Sequence, residues 1–323
     1  MADVVTLGEA LIDFVSQEVG ELIDAPGFKK APGGAPANVA CGVAKLGRAS
    51  AFLGKVGDDP FGHFLERTFR EAGVDTSAMV FDKKVKTGLA FVSLKDGGER
   101  DFLFYRDPSA DMMLRPEELN VDLLRGARVF HYGSITLISE PSRSATLRAI
   151  EVAREAGAII SYDPNLRMSL WDSAERARRE MSAALRFAHF VKVCEEELEF
   201  LTGEADIARG AAKLMEHGPQ LVAVSRGARG CVVCCGGEVV ELAGFRVDTV
   251  DTTGAGDGFV AGALVKLLEL CPEAPLRPLS REELAQVFTF ANAVGALTTT
   301  VKGAIPGLPT REAAEKLAAQ REP

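Results

Sequence analysis

Cysteine is scarce. Six residues, Cys41, Cys194, Cys231, Cys234, Cys235 and Cys271, are scattered over 323 positions and give no disulfide framework. A reducing, cytoplasmic setting is the expectation. No apolar run reaches the roughly 20 residues of a bilayer span without a charge or turn signal, so a soluble protein is expected. The start, Met1-Ala2-Asp3-Val4, lacks both a basic region leading into a long apolar segment and an Arg- and Ser-rich targeting stretch. Excess positive charge is also missing. The 37 Lys and Arg face 46 Asp and Glu, a formal charge of −9, which argues against capture by nucleic acid or an anionic membrane. Trp171 and the scattered Phe residues therefore suggest packing rather than base stacking.

What is present suits a globular enzyme. Hydrophobic residues make up 47% of the chain, enough for a substantial core, and 32 Gly imply many turns. Val4 to Gly8 reads as a buried strand, and Gly33-Gly34-Ala35-Pro36-Ala37-Asn38 leads into a helix, with Pro36 in its first turn. Thr87 to Leu94 and Asp101 to Arg106 alternate around Asp96-Gly97-Gly98, which predicts a hairpin suited to a lid. Short strands are expected at 128–133, 158–163, 190–193 and 221–224, separated mainly by helices such as Ser142 to Glu155 and Ala174 to Phe187. This alternation implies a mostly parallel sheet covered by helices, with binding groups beyond the strands' carboxyl ends. A second hairpin is expected over Cys231 to Val240. There Cys231 and Cys234 point to opposite faces, so buried thiols are favoured over a metal site.

The strongest local signal is Asp251-Thr252-Thr253-Gly254-Ala255-Gly256-Asp257, followed by Val260, Ala263, Leu264 and Leu267 at helical spacing. The Gly-Ala-Gly amides at a helix start are suited to an anion. Asp257 is suited to accepting a proton from a hydroxyl that attacks a terminal phosphorus. Taken alone, the same residues also fit an Asx-capped turn with no ligand.

The longer pattern resembles the ribokinase-like PfkB carbohydrate kinases, with the plant-type fructokinases the nearest likeness. The resemblance rests on Gly8-Glu9-Ala10-Leu11-Ile12-Asp13, Pro32 to Ala40, Asp163-Pro164-Asn165-Leu166-Arg167, Asp251 to Asp257, Ala291 to Thr300 and Lys302 to Pro306, in order along nearly the whole chain. It implies one domain over 1–323, with an α/β fold: a ribokinase-like three-layer α/β/α core within 1–313 and a small β-sheet lid from 14–31 and 85–107. It also implies ATP as donor, Mg²⁺ as its partner, activation by K⁺, and D-fructose as acceptor.

The resemblance further implies Asp257 as catalytic base, Gly254, Ala255 and Gly256 as anion hole, and Arg167 as charge stabiliser. Asp13, Gly33, Gly34 and Asn38 are the implied sugar contacts. The hairpin offers Phe91, Phe104, Tyr105 and Arg106 to the lid side of the pocket, although the two Phe also suit a sheet core. Lys192 and Cys194, then Ser225, Gly227, Gly230 and Asn292, are expected beside the nucleotide. Many relatives carry Asn where Cys194 stands. Glu197 is expected to act on Mg²⁺ through water, and Asp251, Thr253, Thr298 and Gly303 to lie around a potassium ion. The lid suits a homodimer contact as well as a cover. Ribose, adenosine and 2-keto-3-deoxygluconate remain open as acceptors, as does a catalytically silent sugar-binding regulator.

Overall fold

Runs of β-branched and aromatic residues buried on both faces form the strands of the main sheet, as a sheet covered by helices requires. The computed structural model describes residues 2–94, 100–271 and 276–321. In chain order the strands are β1 (Val4–Leu7), β2 (Leu11–Val19), β3 (Phe28–Gly33), β4 (Ser50–Gly57), β5 (Met79–Asp82), β6 (Gly88–Leu94), β7 (Arg100–Tyr105), β8 (Val129–Gly133), β9 (Ile159–Asp163), β10 (Phe190–Cys194), β11 (Leu221–Ser225), β12 (Cys231–Cys235) and β13 (Glu238–Leu242). The helices are α1 (Ala35–Lys45), α2 (Pro60–Glu71), α3 (Val121–Arg125), α4 (Ser142–Glu155), α5 (Ala174–Leu185), α6 (Glu195–Thr202), α7 (Ile207–Met215), α8 (Ala255–Leu270), α9 (Arg281–Thr298), α10 (Ala304–Gly307) and α11 (Arg311–Ala318).

The main sheet runs β13-β12-β11-β10-β9-β8-β1-β4-β5. Pairings from β5 to β11 are parallel, and β12 and β13 add an antiparallel edge. Side-chain alternation divides the core into layers. Val5, Leu7, Phe130, Tyr132, Val191 and Val193 pack on one face, and Val4, Val129, Phe190 and the apolar stripes of α8 and α9 on the other. Cys231 and Cys234 fall into these opposite layers, and all six cysteines are free thiols. The strand order reverses around β1, which lies between β8 and β4, so a crevice opens at the carboxyl ends of these strands.

A four-stranded sheet, β3-β2-β6-β7, stands over that crevice as the lid. The expected hairpin is the β6–β7 pair, joined antiparallel from Leu89 opposite Tyr105 to Leu94 opposite Arg100. Its expected turn, Asp96-Gly97-Gly98, lies outside the described residues.

Beneath the lid, α1 packs closely on α8, because a side chain at Gly42 would come within 2.6 Å of the Ala261 Cβ. This approach carries the N-terminal turns of both helices to the crevice. A separate apolar cluster at the lid's base includes Phe52 and Phe69, both fully buried, with rings edge to face at 5.4 Å. Truncation of Phe69 to Ala should lower the unfolding free energy by about 3–5 kcal/mol, measured by urea denaturation.

Candidate active site

The site forms where loops at the carboxyl ends of the parallel strands meet the first turn of α8. Gly254 caps that helix with φ 78°, a left-handed conformation that favours glycine. The Ala255 amide donates back to the Thr252 carbonyl at 3.2 Å. The amides of Gly256 and Asp257, within the first four of the helix, have no acceptor inside it. Two cavities share this turn. One, of about 290 Å³, is lined by Asp13, Gly34, Asn38, Phe102, Phe104, Arg167, Lys192, Gly254 and Asp257 among others. The second, of about 750 Å³, is lined by Ser225, Gly227, Gly230, Phe245, Ala255, Asn292 and neighbouring residues. Thr252 and Gly256 form part of both walls.

Asp257 accepts a hydrogen bond from the Asn38 side-chain amide at 2.8 Å. Burial raises its pKa, while the Asn38 bond and the charges of Lys192 and Arg167 oppose the rise. Behind it, the Lys192 ammonium bonds Asp163 at 3.1 Å and faces the Gly256 backbone, where a Cβ would lie 3.2 Å away. Burial disfavours the charge on Lys192, but the carboxylates of Asp163 and Glu197 outweigh it and its pKa is raised. The Arg167 guanidinium sits 6.0 Å from the centre of the Phe102 ring. The first cavity thus combines a carboxylate beside helix amides with two cations, a set suited to moving a proton from an alcohol while charge builds on a phosphoryl group.

Several expected residues converge there. Asp13 lies on the cavity face of β2, with Gly33 packed against its carboxylate. Asn38 has its side-chain oxygen buried and without a hydrogen-bond partner among the described residues, an acceptor held ready in the cavity wall.

Other expected residues are placed elsewhere. Strand register puts Phe104 opposite Ala90 and Phe91 opposite Leu103, so the two Phe face opposite sides of the lid. Phe91 stacks on Phe14 at 5.2 Å, and the exposed Tyr105 meets its ring edge. The expectation of cavity contacts from Phe91 and Tyr105 is corrected: Phe102, overlooked in the sequence, shares the cavity wall with Phe104. Arg106 is corrected as well. It is buried in an ion pair with Asp111 and lines a neighbouring cavity beyond Phe102 and Phe104.

Cys194 lines neither of the two cavities, and its backbone amide donates to Glu197 at 2.9 Å. The other Glu197 oxygen accepts from the Leu166 amide at 2.8 Å, so both carboxylate oxygens hold the backbone. Among the described residues no group of three or more His, Cys, Asp or Glu is arranged to hold a metal ion. Asp251 accepts from the Thr253 amide and hydroxyl and from the Gly303 amide, the last at 2.8 Å, joining the loops before α8 and after α9. Thr298 directs its hydroxyl back to the Val294 carbonyl within α9.

The sequence reading assigned no role to Glu9, which also lines the smaller cavity and is 3% exposed. Burial pushes its carboxyl up to about 7, against hydrogen bonds from its own and the Ala35 amides and the charge of Arg106. Between the ordinary carboxylate range and pH 7 the folded chain holds a proton that the unfolded chain releases, so this group's effect on stability worsens as pH rises through that window. Glu9→Gln removes the effect. Its unfolding free energy should gain on that of the parent protein by about 1 kcal/mol between pH 6 and pH 8. A difference independent of pH in urea titrations would contradict this assignment.

The sequence profile described as pfkB family carbohydrate kinase matches residues 1–311. Over 316 residues the chain is 50% identical to the probable fructokinase-4 of Arabidopsis thaliana, covering 97% of this chain and 96% of that protein. The crystal structure of a fructokinase with bound ATP from Xylella fastidiosa superposes with a TM-score of 0.88 at 34% identity, covering 99% of each chain. A fructokinase double mutant from Vibrio cholerae O395, in its fructose-, ADP- and potassium-bound form, gives a TM-score of 0.87 at 36% identity over 98% of each chain. With its sheet, its lid and the crevice between them, the chain belongs to the pfkB family of carbohydrate kinases.

Proposed function

We propose that the chain is an ATP-dependent fructokinase, transferring the γ-phosphoryl group of MgATP to the 6-hydroxyl of D-fructose to give D-fructose 6-phosphate and ADP. The observation that carries the mechanism is the shared wall of the two cavities: the turn from Thr252 to Asp257 touches both. The sugar occupies the smaller cavity and the nucleotide the larger. Relatives named as fructokinases match nearly the whole chain, which favours fructose over the other acceptors.

In this reading Asp13, the backbone at Gly33 and Gly34, and Asn38 hold sugar hydroxyls, with Phe102 and Phe104 excluding water. The attacking oxygen gives its proton to Asp257 as the bond to the γ-phosphorus forms and the bond from phosphorus to the bridging oxygen of ADP breaks. Amides of the Gly254–Gly256 turn, with Lys192 and Arg167, receive charge developing on the transferred group. Ser225, Gly227, Gly230 and Asn292 border the nucleotide. Magnesium arrives as part of the MgATP substrate, with Glu197 acting on it through the field of its charge. A potassium ion is assigned to the loops joined by Asp251 and Gly303, beside Thr253 and the backbone at Thr298. The six free thiols accord with a cytoplasmic setting.

Asp257→Asn should lower kcat for fructose by at least about 100-fold while leaving the circular dichroism spectrum unchanged. Retention of most of the activity would remove Asp257 from the role of base. In a competition among fructose, ribose, adenosine and 2-keto-3-deoxygluconate, identification of the product by NMR should give fructose 6-phosphate; a different dominant product would reassign the acceptor.

The lid is also proposed to pair with that of a second copy through its outward apolar side chains. Leu103 is 48% exposed and Tyr105 60%, and both lie on the face away from the cavity. Light scattering coupled to gel filtration should report a dimer, and a monomer for the Leu103→Glu, Tyr105→Glu double variant. A monomeric parent protein would rule the pairing out.

A further inference from the structure

Glu9 lies where the chain leaves the main sheet for the lid, between the end of β1 at Leu7 and the start of β2 at Leu11. The chain returns from the lid at Gly33, and α1 begins at Ala35. The Glu9 carboxylate joins these two crossings, accepting a hydrogen bond from the Ala35 amide at 3.0 Å. The backbone fits equally closely: a side chain on Gly34, whose φ is 115°, would come within 2.2 Å of the Glu9 carbonyl oxygen.

Helix α1 has no cap of its own. Its N-cap residue is Gly34, which makes no side-chain hydrogen bond, and Pro36 supplies no amide hydrogen. The acceptor comes from 26 residues earlier in the chain. When ionised, the carboxylate also complements the positive end of the helix dipole. One turn into this helix stands Asn38, whose side-chain amide holds Asp257 at 2.8 Å.

We propose that Glu9 is a positioning residue: from the lid hinge its carboxylate caps α1 and thereby holds Asn38 in register with Asp257. The Arg106–Asp111 ion pair stands near enough to act on Glu9, with Arg106 attracting its charge and Asp111 repelling it. Arg106 directly follows β7, so another crossing between core and lid meets the same group.

The inference rests on the proposed role of Asp257, and its test uses one readout that does not require activity. Glu9→Leu keeps the volume and removes the acceptor; Glu9→Gln keeps an acceptor without the charge. In hydrogen exchange followed by mass spectrometry, peptides covering the first turn of α1 should exchange faster in Glu9→Leu and at close to the parent rate in Glu9→Gln. In kinetics, Glu9→Leu should lower kcat by about tenfold to 100-fold, as expected for a small misplacement of a reacting group, with KM for ATP within about twofold of the parent value. Glu9→Gln should recover most of kcat. In an Asn38→Ala background, Glu9→Leu should lower kcat by no more than about twofold, because its effect passes through Asn38.

An equal kcat loss with and without Asn38 would overturn the proposal, as would unchanged exchange in α1 or a Gln variant as impaired as Leu. Absence of fructose phosphorylation in the parent protein would instead count against the fructokinase reading, while the exchange result would still decide whether Glu9 caps the helix.

Discussion

The hydrogen bond from Asn38 to Asp257 joins side chains 219 positions apart, and the site depends on it. It exists because α1 and α8 pack closely at Gly42 and Ala261, leaving their N-terminal turns side by side at the crevice. The same constraint explains why helix amides, a carboxylate and two cations share so little space. A carboxylate enclosed in this way has a raised pKa, yet it faces Lys192 and Arg167, which favour its ionised form. Burial and charge therefore act in opposition on the group assigned to take the proton.

Below it lies a buried array of alternating charge. Lys192 and Asp163 are paired in the cavity wall, while Glu197 ties the loop after β9 to the end of β10 through two backbone amides. His131, buried in β8 next to Ser161, has its pKa pushed down to about 3 by burial and by the charge of Lys192, so it remains neutral there. Glu197 and His131 fix the strand ends that carry the site, while Lys192 and Asp163 also reach its wall.

Much of this was legible in the sequence because it depends on local backbone chemistry. The glycines before Asp257 marked a helix start, and the alternation at Cys231 to Val240 marked the β12–β13 hairpin. What escaped was parity and long-range pairing. Alternation in the lid identified two strands, but not which side of them faces the cavity. That side is set by the pairing of Ala90 with Phe104, which turns Phe102 inward and Phe91 and Tyr105 outward. Arg106 looked like a free donor because nothing in the sequence shows that Asp111 closes back on it. Phe245 and its neighbours line the larger cavity from a loop with no periodic signal. Glu9 did leave a trace, as a lone acid in an otherwise apolar run from Leu7 to Ile12.

The order of the main sheet bears on how the chain is made. From β8 to β13 each strand adds beside the one before it, so the sheet grows outward in the order of synthesis. A nascent chain ending near residue 190 presents β9 as an open edge with unpaired amides and carbonyls, while the segment bearing Asp257 has yet to be translated. A chain cut short there would accordingly lack the catalytic segment and expose an aggregation-prone edge.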